Sequence, residues 1–222
     1  MSSPQRGESG LLDLFVILIA VALVALVGYY AITRPPPGSR RQRINCASNL
    51  KQIGLSFRLW GSDNGDKYPS QVSTNAGGTM ELVASGLVFP VFKVMSNELG
   101  TTKIIACPED TKRKYAADFS TMTDANISYF TVPEADESNP ELWLSGDRNL
   151  TTNRIGLTPG LFTVPTNRMM GWTAQTHNNQ GNICLADGSV QQFSSARLHR
   201  SATKALRSHF ATTNTSFRLA IP

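Results

Sequence analysis

The chain has 222 residues, with 21 Lys and Arg against 16 Asp and Glu, a formal net charge of +5. Much of that excess sits in Arg34, Arg40, Arg41 and Arg43, directly after an apolar run. The basic balance therefore points to anionic lipid headgroups and excludes a nucleic-acid interface. Removing about forty N-terminal residues leaves enough chain for one domain with a core, and its Asn, Ser, Thr and Gly suggest a loop-rich domain containing β-structure.

Residues 1–10 form a short polar segment carrying Arg6 and Glu8. The stretch Leu14 to Ile32 is an uninterrupted apolar run of nineteen residues. As a helix it is roughly 28 Å long, about the hydrocarbon thickness of a bilayer. The run is longer than the apolar part of a cleaved signal and ends in Tyr29, Tyr30, Ala31 and Ile32, not in small residues. Interfacial tyrosines and a snorkelling Arg34 fit a retained anchor, read here over residues 11–33. Residues 34–39 form a Pro-rich hinge, and residues 40–222 the globular domain.

Ser39-Arg40-Arg41-Gln42 fits a capping box, so a second helix is predicted to start there. Cys46, Leu50, Ile53, Phe57 and Trp60 follow at alternating steps of four and three, one apolar face laid on a core. The helix ends in the turn formers Gly61 to Asp66. Shorter helices are expected over Met80–Ser85 and Val91–Leu99, the latter stopped by Gly100. Strands are expected over Lys103–Ala106, Ile127–Val132 and Met169–Ala174. Asp187-Gly188, between two β-prone runs, predicts a type I′ hairpin. A final helix spans about Ser195–Phe210, using Leu198, Ala202, Leu206 and Phe210, before a strand-like tail at Phe217–Ile221.

An N-terminal span, a long amphipathic helix and then a sheet resemble the layout of type IV pilins and type II secretion pseudopilins. The segment Cys46-Ala47-Ser48-Asn49-Leu50-Lys51-Gln52-Ile53-Gly54 is similar to a segment of pilin-like proteins of the prepilin-type N-terminal group. So are Tyr68-Pro69, Cys107-Pro108-Glu109-Asp110, Asn126 to Phe130 and Gly146 to Asn149. His177, followed at the group's spacing by Asp187-Gly188, matches its H-x(9)-D-G signature. The resemblance implies an α+β fold, a transmembrane helix followed by a pilin-like domain whose helix packs on an antiparallel sheet. It also implies a non-enzymatic subunit of a secretion or pilus-like assembly, single-pass in a bacterial inner membrane. Its partners would be like subunits and membrane lipid, with no nucleic acid and no small-molecule substrate. A monomeric anchored ligand-binding domain is the alternative.

The resemblance breaks at the processing site. A prepilin has Gly at the cleavage point and Glu at the fifth mature position. Here Gly10 and Asp13 cannot both be brought into that register. In assembled pilins an acid at Asp13 would meet a neighbour's N-terminal amine; equally, Asp13 reads as an interfacial acid at a helix start. The positive-inside rule would put the domain after Arg34–Arg43 in the cytoplasm. The resemblance implies an extracytoplasmic domain, and that reading is adopted.

Three cysteines, Cys46, Cys107 and Cys184, allow one bridge and one buried thiol, and Cys46 with Cys107 is the expected pair because Cys184 lies mid-strand. No two are spaced as a CxxC knuckle, so a zinc site with His177 is not expected. Asp63-Asn64-Gly65-Asp66 could offer oxygens to calcium, as could Asp110, Asp136 or Asp147, but the spacing is no EF-hand and no cofactor is assigned. His177 and Asp187 suggest an acid/base pair, yet the turn alone explains Asp187 and no Gly-x-Ser-x-Gly elbow exists. A structural hydrogen bond from His177 to the hairpin or to Asn178-Asn179 is expected instead.

Overall fold

The computed structural model describes residues 9–33, 37–165, 168–209 and 216–222. Residues 1–8, Arg34, Pro35, Pro36, the Ser39 side chain and Phe210 lie outside them, and with them most of the hinge reading and the capping box. The chain forms two compact units, residues 1–40 and 41–222.

The first helix, α1 (Ser9–Thr33), contains Leu12–Ile32, a stretch of 21 residues with mean hydropathy 2.7, long and apolar enough to cross a bilayer. None of that span is buried within the chain. The second, α2, runs Pro37–Asp63, two residues earlier than the capping box predicted. Proline is tolerated at a first helical position, where its missing N–H would have had no partner. Cys46, Leu50, Ile53, Phe57 and Trp60 are all buried, so the predicted face is the buried face. Phe57 meets Tyr68 and Phe92 edge-on, with centroids 5.4 and 6.5 Å apart.

Helices α3 (Met80–Ala84), α4 (Phe89–Val94) and α5 (Ser96–Leu99) follow. The single helix expected at Val91–Leu99 is thus two, broken at Met95, whose φ and ψ of −90° and 20° leave the helical region. Its start also shifts back to Phe89, because Asp124 Oδ1 accepts from the Val88 and Phe89 amides at 3.1 and 2.6 Å. Gly100 does end α5, at φ 67°. The strand expected at Lys103–Ala106 is instead a 3₁₀ turn over Thr102–Ile105. Thr101 accepts the Lys103 amide locally, and Ile104 and Ile105 are buried without a ladder.

The strands are β1 (Tyr129–Thr131), β2 (Trp143–Asp147), β3 (Leu150–Thr152), β4 (Ile155–Gly156), β5 (Gly160–Pro165), β6 (Met170–Trp172), β7 (Gln180–Leu185), β8 (Val190–Ser194) and β9 (Ser216–Ile221). All pairings are antiparallel, in a six-stranded sheet ordered β5-β9-β1-β2-β7-β8 and a three-stranded sheet ordered β4-β3-β6. Helix α6 (Ser195–His209) buries Leu198, Ala202, Ala205 and Leu206, and is tied to β2 by Trp143 Nε1–H donating to Ser201 Oγ at 2.9 Å. The second unit is therefore α+β, built on an antiparallel sheet.

Between Leu185 and Ser189, which bond across the turn, the β7–β8 hairpin has three residues, not the two of a type I′ turn. Only Gly188 has positive φ, at 81°. The Gly188 amide donates to Leu185 O at 2.9 Å and the Leu185 amide to Ser189 O at 2.8 Å. This is a type I turn closed by a left-handed glycine, a pattern that leaves Asp187 in ordinary backbone. Gly54 of α2 lies against this hairpin. A Cβ there would stand 2.6 Å from Cys184 Sγ and 3.2 Å from Gly188 Cα. Glycine inside a helix costs about 1 kcal/mol relative to alanine, and here it permits the close approach of helix to turn. Gly54→Val is expected to destabilise the protein by about 1–3 kcal/mol through overpacking. An unchanged urea midpoint would refute that packing.

Candidate functional site

A buried polar cluster joins α2, the segment after the Thr102–Ile105 turn, β2 and the loop between β6 and β7. A disulfide links Cys46 on α2 to Cys107, the pair expected from the sequence, while Cys184 is free and buried. Against Cys107 lies His177, whose side chain is fully buried and whose Nε2 is 3.5 Å from Cys107 Sγ. Its Nδ1 is 2.6 Å from Glu109 Oε2 and its Nε2 is 3.3 Å from Asp147 Oδ2. Burial alone would depress the imidazole pKa, but the Asp147 and Glu109 carboxylates outweigh it, and the pKa is raised. As an imidazolium the ring donates to both acids.

The backbone that presents His177 is unusual. His177, Asn178 and Asn179 are three consecutive residues in the left-handed region, with φ of 56°, 50° and 60°. Asn and His are the non-glycine residues that enter it most readily. Asn149 holds the loop in this shape, its Nδ2 donating to Thr176 O at 2.9 Å and to Thr173 O at 3.2 Å. Asp147, beside it on β2, accepts from the Asn182 amide at 2.6 Å and from Asn182 Nδ2 at 3.0 Å. Arg148 donates in bidentate fashion to Asp110 at 2.7 and 2.9 Å.

The other segments singled out in the sequence converge on the same frame. Asn49 Nδ2 donates to Ala106 O at 3.3 Å, and Leu50 is buried beside it on α2. Tyr68 O–H donates to Ala186 O at 2.7 Å, linking the Tyr-Pro segment to the hairpin. The Arg148 amide donates to Ser128 O at 3.0 Å. Asp187 does not meet His177; its Oδ1 accepts the Ser189 amide within its own turn at 2.8 Å. His177 therefore bonds neither to the hairpin nor to Asn178-Asn179, as had been expected, but to Glu109 and Asp147. Those two acids were not identified as its partners, because 68 residues separate Glu109 from His177 and only the strand register places Asp147 beside the ring.

Asp13 lies on α1, exposed. Asp63 and Asp66 are exposed at the end of α2, and the Asn64 side chain there donates back to Trp60 O at 2.7 Å. Among the described residues they join no group of three ligand side chains. Asp110 is taken by Arg148, Asp147 by His177 and Asn182, and Asp136 accepts from Gln71 Nε2 at 3.1 Å. Apart from Asp147 Oδ1, which has no hydrogen-bond partner, the carboxylates considered for calcium are engaged elsewhere or scattered.

His177, Asp147 and the disulfide are buried, while the Glu109 side chain is 18% exposed. Burial, reinforced by Asp187, pushes the Cys184 thiol up to about 12. Cys184 is expected to resist alkylation in the native protein at pH 8 and to react once the chain is unfolded. Rapid native labelling would show that α2 does not cover it. Compared with protein-family models, with curated proteins and with solved structures, the chain shows no match.

Proposed function

We propose that this chain is a membrane-anchored, non-enzymatic pilin-like subunit of the pseudopilin kind. Lipid holds Leu12–Ile32, and the head after it adopts a pilin-like arrangement of α2 against the antiparallel sheet. Association with like subunits runs through the anchors, where Ala20, Ala22, Ala25 and Gly28 let helices approach closely. The observation that carries this reading is the stretch Leu12–Ile32 of α1, long and apolar enough to cross a bilayer and with none of it buried. A second support is that the motif residues hold the head together: Cys46 bonded to Cys107, His177 to Glu109 and Asp147, Tyr68 to Ala186. The disulfide favours an extracytoplasmic head in the bacterial inner membrane.

Crosslinking in intact cells tests this. A subunit gives ladders or partner-specific adducts that vanish when the anchor is deleted. A monomer alone, under conditions that crosslink a known oligomer, would contradict it. That outcome would favour an anchored ligand-binding domain, for which the open cleft of about 730 Å³ lined by Thr151, Arg154, Trp172 and Ser195 is the candidate site.

A further inference from the structure

We propose that reduction of the Cys46–Cys107 disulfide converts the buried cluster into a site for one zinc-like divalent ion, held by Cys46, Cys107 and His177, with Asp147 beside the ring nitrogen. Sγ of both cysteines and a ring nitrogen of His177 lie within 4.8 Å of one another. Tetrahedral zinc with sulfur and nitrogen ligands holds its donor atoms about 3.3 to 3.8 Å apart. The 3.5 Å between Cys107 Sγ and His177 Nε2 is already that spacing, as is the 3.3 Å between Nε2 and Asp147 Oδ2. A modest opening of the two sulfurs leaves three ligands in place, with the fourth position on the side of Asp147.

Two further observations point to a ligand. Asp147 is 1% exposed; its Oδ2 lies 3.3 Å from His177 Nε2 and accepts from Asn182, while its Oδ1 has no hydrogen-bond partner. A buried carboxylate oxygen left unpaired is costly, and a cation relieves it. Glu109 binds the opposite nitrogen, Nδ1, at 2.6 Å. A carboxylate accepting Nδ1–H leaves Nε2 as the nitrogen that gives up its proton and turns its lone pair to an ion, the usual outer support of a metal-bound histidine. The ring is therefore aimed, through Nε2, at the sulfurs and at Asp147.

The chemistry balances in two steps. A dithiol passes two electrons and two protons to the disulfide, leaving two thiols and closing as its own disulfide. The ion then displaces both thiol protons and the Nε2 proton to solvent as the thiolates and the neutral ring bind it. The same cysteines so clamp α2 to the segment around Cys107 covalently where conditions are oxidising and through a metal where they are reducing. A water-soluble phosphine replaces the dithiol in vitro, one phosphine and one water giving the phosphine oxide and the two thiols.

The test uses the full chain in detergent micelles, reduced, desalted without oxygen and titrated with Co²⁺. One ion per chain is expected to bind, with a thiolate-to-cobalt charge-transfer band and tetrahedral ligand-field bands, both bleached by Zn²⁺. The oxidised chain and the Cys46→Ser variant should show neither, while Cys184→Ala behaves as the parent. Glu109→Gln is expected to weaken binding 10- to 100-fold. Should the reduced chain lose its near-ultraviolet dichroism, Zn²⁺ must restore it. The proposal is overturned if the reduced chain gives no thiolate band, if Cys46→Ser gives the same band, if Glu109→Gln binds as tightly as the parent, or if zinc fails to restore a lost fold.

Discussion

Replacing Cys46 and Cys107 together by alanine is expected to lower the stability of the protein by about 4 kcal/mol. The two residues are 61 apart in sequence, and a cross-link closing a loop of that size removes about this much free energy from the unfolded state. For a domain of this size the loss corresponds to a melting temperature lower by roughly 8 to 16 °C. It is a large part of the total, since whole domains are stable by only about 5–15 kcal/mol. The bond also has a local consequence. It fixes the first turns of the buried face of α2 beside the segment that carries Glu109, so its removal should loosen the loop around His177 as well. Calorimetry on the oxidised parent and on the double variant, with a chelator present, measures the difference. A shift below about 2 °C would show that the fold does not depend on this clamp.

His177→Ala has the second large expected effect, a destabilisation of about 3 to 5 kcal/mol. The substitution leaves the carboxylates of Glu109 and Asp147 without the ring between them. Asp147 keeps its bonds from Asn182 but stays buried, with a charge nothing neutralises. A double-mutant cycle with Asp147→Ala isolates the pairwise part, expected at about 0.5–3 kcal/mol because the residues are in direct contact. The cycle discriminates between roles. If His177→Ala melts like the parent while abolishing a hydrolytic activity, the residue is catalytic and the cohesive reading of the cluster is wrong.

The fold was legible where one periodicity governed a long segment. In α2, steps of three and four mark Cys46, Leu50, Ile53, Phe57 and Trp60, and each is buried. The hairpin was legible as a hairpin, because Gly188 must supply a positive φ, but its turn type was not, because a three-residue connection and a two-residue one share the same Asp-Gly. Strand β2 gave no signal. Trp143 to Asp147 are buried on both faces and carry a bulge, so the alternation expected of a half-exposed strand is missing. The start of α4 was hidden for another reason: its cap, Asp124, comes from 35 residues further along the chain.

The candidate site divides in the same way. Residue type and the motif segments that carry them drew attention to Cys46, Cys107 and His177. Their association with Glu109 and Asp147 depends on strand register and on a left-handed loop that no local pattern encodes. Asp187 was drawn into a pairing by proximity in sequence, whereas its carboxylate is used by the turn it sits in. Scattered segments that looked like separate signatures thus prove to be neighbours in one frame: Gly54 against Gly188, Asn49 against Ala106, Tyr68 against Ala186, Arg148 against Asp110.

All of the assembly reading rests on the N-terminal helix being held by lipid. Extraction of cell membranes with alkaline carbonate, followed by detection of the head and sequencing of the N-terminus, measures this directly. The full-length chain is expected in the pellet with residues Leu12–Ile32 intact, and a chain starting at Arg41 in the supernatant. Recovery of the full-length chain in the supernatant, or of a head already cut free of the apolar helix, would contradict the account.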